Sequence, residues 1–132
     1  MSERVVVCGG RGYDDVRMVF AVLDRINDSF GIEVLAHGNA KGADTLADLW
    51  AESRQIKCRK FAAAWDRLGK AAGPERNRTM LHMIEPTMVI AFPGGLGTAN
   101  MCRLARESEL DIRVFLVPPI DDLIDNWLRS TI

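Results

Sequence analysis

The sequence predicts an α/β protein, a Rossmann-like three-layer sandwich whose five-stranded parallel sheet has the order 3-2-1-4-5. Short apolar runs alternate along the chain with segments whose apolar residues recur at steps of three and four. Glycine-rich turns follow the first and the fourth of those runs. The third run alternates apolar with basic residues, which marks a sheet edge. Strands separated by helices need right-handed crossovers, hence a parallel sheet with helices on both faces.

Arg4–Cys8 reads as a buried strand that ends at Gly9-Gly10. Asp14 is the expected N-cap of a helix with Val16, Val19, Phe20, Leu23 and Ile26 on one face, and Gly31 stops it. Ile32–Ala36 is the second strand, and the loop His37–Gly42 leads from it into a helix that places Ala43, Leu46, Ala47, Trp50 and Ala51 at helical steps. Gln55–Phe61 is the edge strand. Residues 62–75 read as a long loop with Trp65, two glycines and Pro74. A helix from about Glu75 to Ile84 ends before Pro86. Thr87–Phe92 is the fourth strand, and Pro93–Thr98 turns directly into a helix through Met101, Leu104 and Ala105. Arg113–Val117 is the fifth strand, and after Pro118-Pro119 a last helix sets Ile120, Leu123, Ile124, Trp127 and Leu128 on one face.

The 132 residues suit one domain, and 48% hydrophobic content supplies a core. Seventeen basic against eighteen acidic residues argue against a dedicated DNA-coating protein. No apolar run has the length of a membrane span, and Met1–Val7 lack the layout of a signal peptide. Cys8, Cys58 and Cys102 have neither disulfide-framework nor zinc spacing. A reduced, cytoplasmic protein without metal or cofactor is the expectation.

In an open parallel sheet, ligands bind beyond the carboxyl ends of the strands where the order reverses, here between strands one and four. Both glycine turns meet there. Pro93-Gly94-Gly95-Leu96-Gly97-Thr98 links strand to helix, so backbone N–H groups and the helix N-terminus can hold an anion, with the Thr98 hydroxyl as one more donor. The alternative is a tight turn that needs glycine. No lysine follows the last glycine, so it is not a P-loop. Arg11, after Gly9-Gly10, suits a phosphate or a base. In His37-Gly38-Asn39-Ala40-Lys41-Gly42-Ala43-Asp44, Asp44 falls in a helical first turn, where the dipole is expected to lower its pKa. His37 reads as lining or bracing the site. Arg76 and Asn77 open the helix before strand four and can reach the same crevice. Residues 54–78 hold eight basic side chains against Asp66 and Glu75, and residues 107–132 hold six acids against two arginines. That asymmetry suits an anionic small ligand.

Gly9-Gly10-Arg11 with Asp14, His37-Gly38, Gly42-Ala43-Asp44 with Ala47 and Trp50-Ala51, Trp65, Ala72-Gly73 with Arg76-Asn77 and Met80, and Phe92–Thr98 together resemble the YspA, YpsA-related family of the SLOG superfamily, common in bacteria and their phages. The resemblance spans about residues 4–117. It implies a Rossmann-like fold that binds nucleotides or nucleotide-derived ligands. The superfamily includes the Lonely Guy phosphoribohydrolases, which cleave the N-glycosidic bond of nucleoside monophosphates. Their Pro-Gly-Gly-x-Gly-Thr-x-x-Glu loop is matched at Pro93–Thr98, and their Arg with Met four residues on is matched by Arg76 and Met80. Met101 stands at the Glu position. Cleavage develops oxocarbenium charge that a carboxylate stabilises, and methionine cannot. Asp44 is the candidate substitute.

The expectation is therefore a sensor or sequestering module for a nucleotide, with a phosphoribohydrolase-like enzyme as the alternative. Gly9, Gly10, Arg11, His37, Gly38, Lys41, Gly42, Asp44, Trp65, Arg76, Asn77, Pro93, Gly94, Gly95, Gly97 and Thr98 are the expected binding residues. Trp65 and Phe61 are the only aromatics in the basic stretch, a thin stacking platform for single-stranded nucleic acid. The Lonely Guy likeness, with Trp127, Leu128 and Ile132 on a final helix, points to a homodimer.

Overall fold

The computed structural model describes residues 2–119 and 124–131. Valines 5–7 are wholly buried because helices cover both faces of the central strand, β1 (Glu3–Cys8). Strand parity splits them. Val5 and Val7 join the core under α1 (Val16–Phe30) and α2 (Ala43–Ser53), while Val6 joins the core under α4 (Ala72–Ile84) and α5 (Leu96–Glu107). β2 (Ile32–His37), β3 (Cys58–Lys60), β4 (Met88–Ala91) and β5 (Arg113–Leu116) complete a parallel sheet in the order β3-β2-β1-β4-β5. The expected order is the observed one.

The boundaries differ in instructive places. Asp15, not Asp14, caps α1, its carboxylate accepting the Met18 N–H at 3.0 Å. The edge strand keeps only Cys58–Lys60 of the expected Gln55–Phe61, since the Leu35–His37 end of β2 alone is there to pair with it. Residues 62–75 are not one loop. They hold a short helix, α3 (Trp65–Leu68), then a 3₁₀ turn at Gly69–Ala71. α4 then starts at Ala72 rather than near Glu75. Pro74 sits in the first turn of α4, where an N–H would have no helical partner.

α6 (Ile124–Thr131) closes the α1 side. Leu128 is buried, and the Trp127 ring meets Phe115 edge-on at 6.4 Å. Trp127, one of the side chains expected to offer a partner surface, thus packs on this chain's own sheet. The predicted positions Ile120, Leu123 and Ile132, and the side chain of Ile124, lie outside the described residues. Among the described residues no helix is long and apolar enough to cross a membrane.

Candidate functional site

The switch point is where the two glycine turns lock together. Cys8 pairs with Ala91 at the ends of β1 and β4, and the Gly10 N–H donates to the Pro93 carbonyl at 2.9 Å. A Cβ on Gly9 would lie 2.5 Å from the Ala43 Cβ, and one on Gly94 would overlap the Thr98 Oγ1. Gly42, at a φ of 78°, carries its α-carbon against the Gly10 carbonyl, where a side chain would overlap that oxygen. Gly9, Gly42 and Gly94 thus serve close backbone approach, and none of the glycines at 94, 95 and 97 has the positive φ that the tight-turn alternative called for.

These contacts leave a cleft of about 600 Å³ beyond the sheet's carboxyl edge. That is the size of small-ligand sites. Gly9, Gly10 and Arg11 line it from the β1 turn, Gly38 and Asp44 from the β2–α2 connection, and Trp65 from α3. Arg76 and Asn77 line it from α4, and Gly95, Gly97 and Thr98 from α5. Five segments of the chain thus converge at the switch point. Met80 and Met101 are buried on its α4 and α5 walls, and Lys70, Gly73, Pro74 and Asn100 line it as well. These were not among the expected binding residues. The signal for two of them was present, since Met80 follows Arg76, and Met101 follows Gly97, by one helical turn.

Arg11 stacks its guanidinium on the Trp65 ring at 5.3 Å, and the ring edge lies over Gly73, whose Cβ would approach it at 3.3 Å. Arg76 donates from Nη1 to the Gly38 carbonyl at 2.5 Å and from Nε to Asn77 Oδ1 at 2.9 Å. Asn77 spends its amide hydrogens on the Gly97 carbonyl and on Asn100 Oδ1, tying α4 to the start of α5. Burial lowers the Arg76 pKa, with the Asp44 charge opposing the shift. In α5 the first helical bond runs from the Ala99 N–H to the Gly95 carbonyl. The N–H groups of Leu96, Gly97 and Thr98 precede it and have no helical acceptor.

Asp44 departs from expectation. Burial raises its pKa above the usual carboxylate value, against the hydrogen bond from Ala40 and the charge of Arg76. The helix dipole expected to lower it is outweighed, because the residue is only 6% exposed. Its Oδ2 accepts the N–H groups of Gly38 at 3.1 Å and Ala40 at 3.2 Å. Asp44 thus shapes the connecting loop as well as lining the cleft.

His37 and Lys41 do not reach this cleft. They line a separate, open cavity of about 350 Å³ with Asp48, Glu52 and Lys60. The reason is strand parity: His37 shares a β2 face with Leu35, on the α2 side, whereas the cleft opens on the face of Ala36. Gly42 and Pro93 lie behind the cleft in the turn contacts described above. Cys8 lines the cleft floor, and its thiol is pushed well up, first by its hydrogen bond with Cys102 and then by burial. That suits a packing residue rather than a nucleophile.

His37 Nε2, Asp48 Oδ2 and Cys58 Sγ lie within 4.8 Å of one another. The His37 Nδ1 accepts the Asn39 N–H at 2.9 Å, so Nε2 carries the ring proton and donates to Asp48 at 2.7 Å. A metal on Nε2 would need the lone pair that this tautomer lacks. Burial, together with the Asp48 charge, pushes the Cys58 thiol up to about 12. The cluster is a hydrogen-bonded Asp–His pair by its chemistry, not a ligand set.

A sequence model described as the YspA, cpYpsA-related SLOG family matches residues 3–68. The Gene 61 protein of Mycobacterium phage D29 is 33% identical over 119 residues, 83% of this chain and 94% of that protein. Among solved structures, DNA processing protein A (DprA) from Streptococcus pneumoniae superposes with a TM-score of 0.69 at 22% identity. The match covers 98% of this chain but 55% of the DprA chain, a likeness of fold.

Proposed function

Because the chain belongs to the YspA, cpYpsA-related SLOG family, we propose that its switch-point cleft binds a nucleotide or nucleotide-derived phosphate ligand, as a sensor or sequestering module. The observation that carries this reading is the convergence on one cleft of Arg11, Trp65, Arg76 and the N–H groups at the start of α5 that lack a helical acceptor. The α5 amides and Thr98 suit the phosphate, with Arg76 beside them. Trp65 offers a face for the base, and Asp44 Oδ1, which has no partner among the described residues, can accept a ribose hydroxyl. Methionines at positions 80 and 101 leave the inner wall apolar, and no carboxylate stands where the Lonely Guy enzymes have theirs. Binding is therefore favoured over N-glycoside hydrolysis.

Part of the basic stretch 54–78 is engaged within the chain, which leaves less of it to follow a nucleic-acid backbone. Arg54 pairs with Asp24, Lys60 with Asp48 and Arg78 with Glu75, and Arg59 lies over Phe61. A homodimer rests on the family likeness alone, because Trp127 and Leu128 pack within the chain. A reducing, cytoplasmic setting fits the three free thiols.

The test is a thermal-shift screen of nucleoside monophosphates, cyclic dinucleotides, ADP-ribose and dinucleotide cofactors. A ligand at one hundred times its Kd should add roughly 2.7 kcal/mol of stability. The absence of a shift with every phosphate-bearing compound refutes the reading.

A further inference from the structure

The loop between β2 and α2 has three successive N–H groups, those of Gly38, Asn39 and Ala40, that all end on side chains. Gly38 and Ala40 donate to Asp44 Oδ2, and Asn39 donates to the His37 Nδ1. Asn39 sits at a φ of 57°, a left-handed conformation that costs a non-glycine residue free energy and persists only when held. The opposite side of the same loop presents the Gly38 carbonyl, which receives Arg76 Nη1. Contact there is so close that a Cβ on Gly38 would lie 2.5 Å from Nη1. His37 itself is 2% exposed, faces away from the cleft and is held at Nε2 by Asp48.

We propose that His37 is a positioning residue for the cleft: by accepting the Asn39 N–H at Nδ1 it holds the loop in the shape that aims the Gly38 carbonyl at Arg76, and so places the guanidinium that meets the ligand's phosphate. This rests on the nucleotide reading for the identity of the ligand, but not for the coupling of His37 to the loop. Asp44 holds the two flanking N–H groups, so without the His37 acceptor the middle peptide is the one released. A released Asn39 leaves its strained conformation, and the adjoining Gly38 carbonyl turns with it. The acceptor on His37 thus acts on Arg76 through one peptide unit, while Nε2 and Asp48 hold the ring.

The two ring nitrogens can be replaced one at a time. An asparagine places its side-chain oxygen near where Nδ1 stands and can accept the N–H two residues on, as in an Asx turn. A glutamine reaches toward the Nε2 position and can donate to Asp48, but offers nothing at Nδ1. The expected result is that His37→Asn binds AMP within threefold of the natural protein, measured by calorimetry, and that His37→Gln binds at least tenfold more weakly, although both melt at lower temperature. Equal weakening in the two variants, or tighter binding by His37→Gln, overturns the proposal. Residue-resolved amide exchange covers the case in which the natural protein binds no AMP. Faster exchange at Gly38, Asn39 and Ala40 in His37→Gln than in His37→Asn then supports the positioning role, and equal exchange overturns it. No shift with any phosphate-bearing compound, with the exchange difference intact, would show failure of the nucleotide reading alone.

Discussion

Replacing Gly95 by aspartate separates the cleft's electrostatics from the fold. Gly95 is the N-cap of α5, and a Cβ there meets nothing within 4 Å. Aspartate is a favoured N-cap, and its charge complements the helix dipole, so the free protein should keep its stability or gain a few tenths of a kcal/mol. The same carboxylate would stand beside the Leu96, Gly97 and Thr98 amides, where the phosphate is proposed to sit. Two like unit charges about 4 Å apart at an effective dielectric near 20 repel by about 4 kcal/mol, close to a thousandfold in Kd. Gly95→Asn supplies the cap without the charge and should cost less than about tenfold. The assay is calorimetric titration with AMP at about 0.1 M salt, beside the melting temperature of each ligand-free protein. AMP binding by Gly95→Asp within threefold of the natural protein would refute a phosphate seat at this helix end. So would an equal loss in Gly95→Asn, which would assign the effect to bulk.

Gly38→Ala should push the Arg76 guanidinium off its carbonyl anchor and weaken AMP binding about tenfold, the worth of one charge-assisted hydrogen bond, with little change in the unfolding midpoint; unchanged affinity would show that Arg76 needs no anchor. Gly9→Ala drives a methyl against Ala43 and Phe92, and urea unfolding should show a loss of about 1–3 kcal/mol. Asp44→Asn tests the raised pKa. A carboxylate whose folded pKa lies above its unfolded one contributes its stability at low pH and loses it as pH rises through the folded value, so the asparagine variant should gain on the natural protein at pH 7, and the gain should shrink as pH falls through the carboxylate range. The natural protein should release no free base from AMP by chromatography, whereas release that is abolished in Asp44→Asn with binding retained would favour the phosphoribohydrolase alternative.

The strand order was legible because it needs only local pattern: the doubly buried valines of β1, the basic alternation of the edge strand and the two glycine turns. The cleft's location followed from that order, and eleven of the sixteen expected binding residues line it. His37 and Lys41 were misplaced, although the two-residue period of β2 already puts His37 on the face of Leu35, away from Ala36. Gly42 and Gly94 meet other parts of the chain rather than the cleft, which was not legible because glycines that admit a ligand and glycines that admit another backbone look the same in sequence. The helices in residues 62–75 were hidden by two glycines and a proline that a first helical turn tolerates. Asp44's raised pKa was not legible, since the dipole that lowers it is a local feature and the burial that raises it is not.

In the proposed complex the phosphate of a nucleotide sits at the start of α5 with the base against Trp65. A crystal structure of the protein with AMP tests it most directly. Phosphate oxygens are expected within about 3 Å of the Gly97 and Thr98 N–H groups, with the Arg76 guanidinium beside them and the adenine ring stacked at Trp65. A phosphate bound instead beside Lys41 and Lys60 in the neighbouring cavity, with the α5 amides unoccupied, would contradict it.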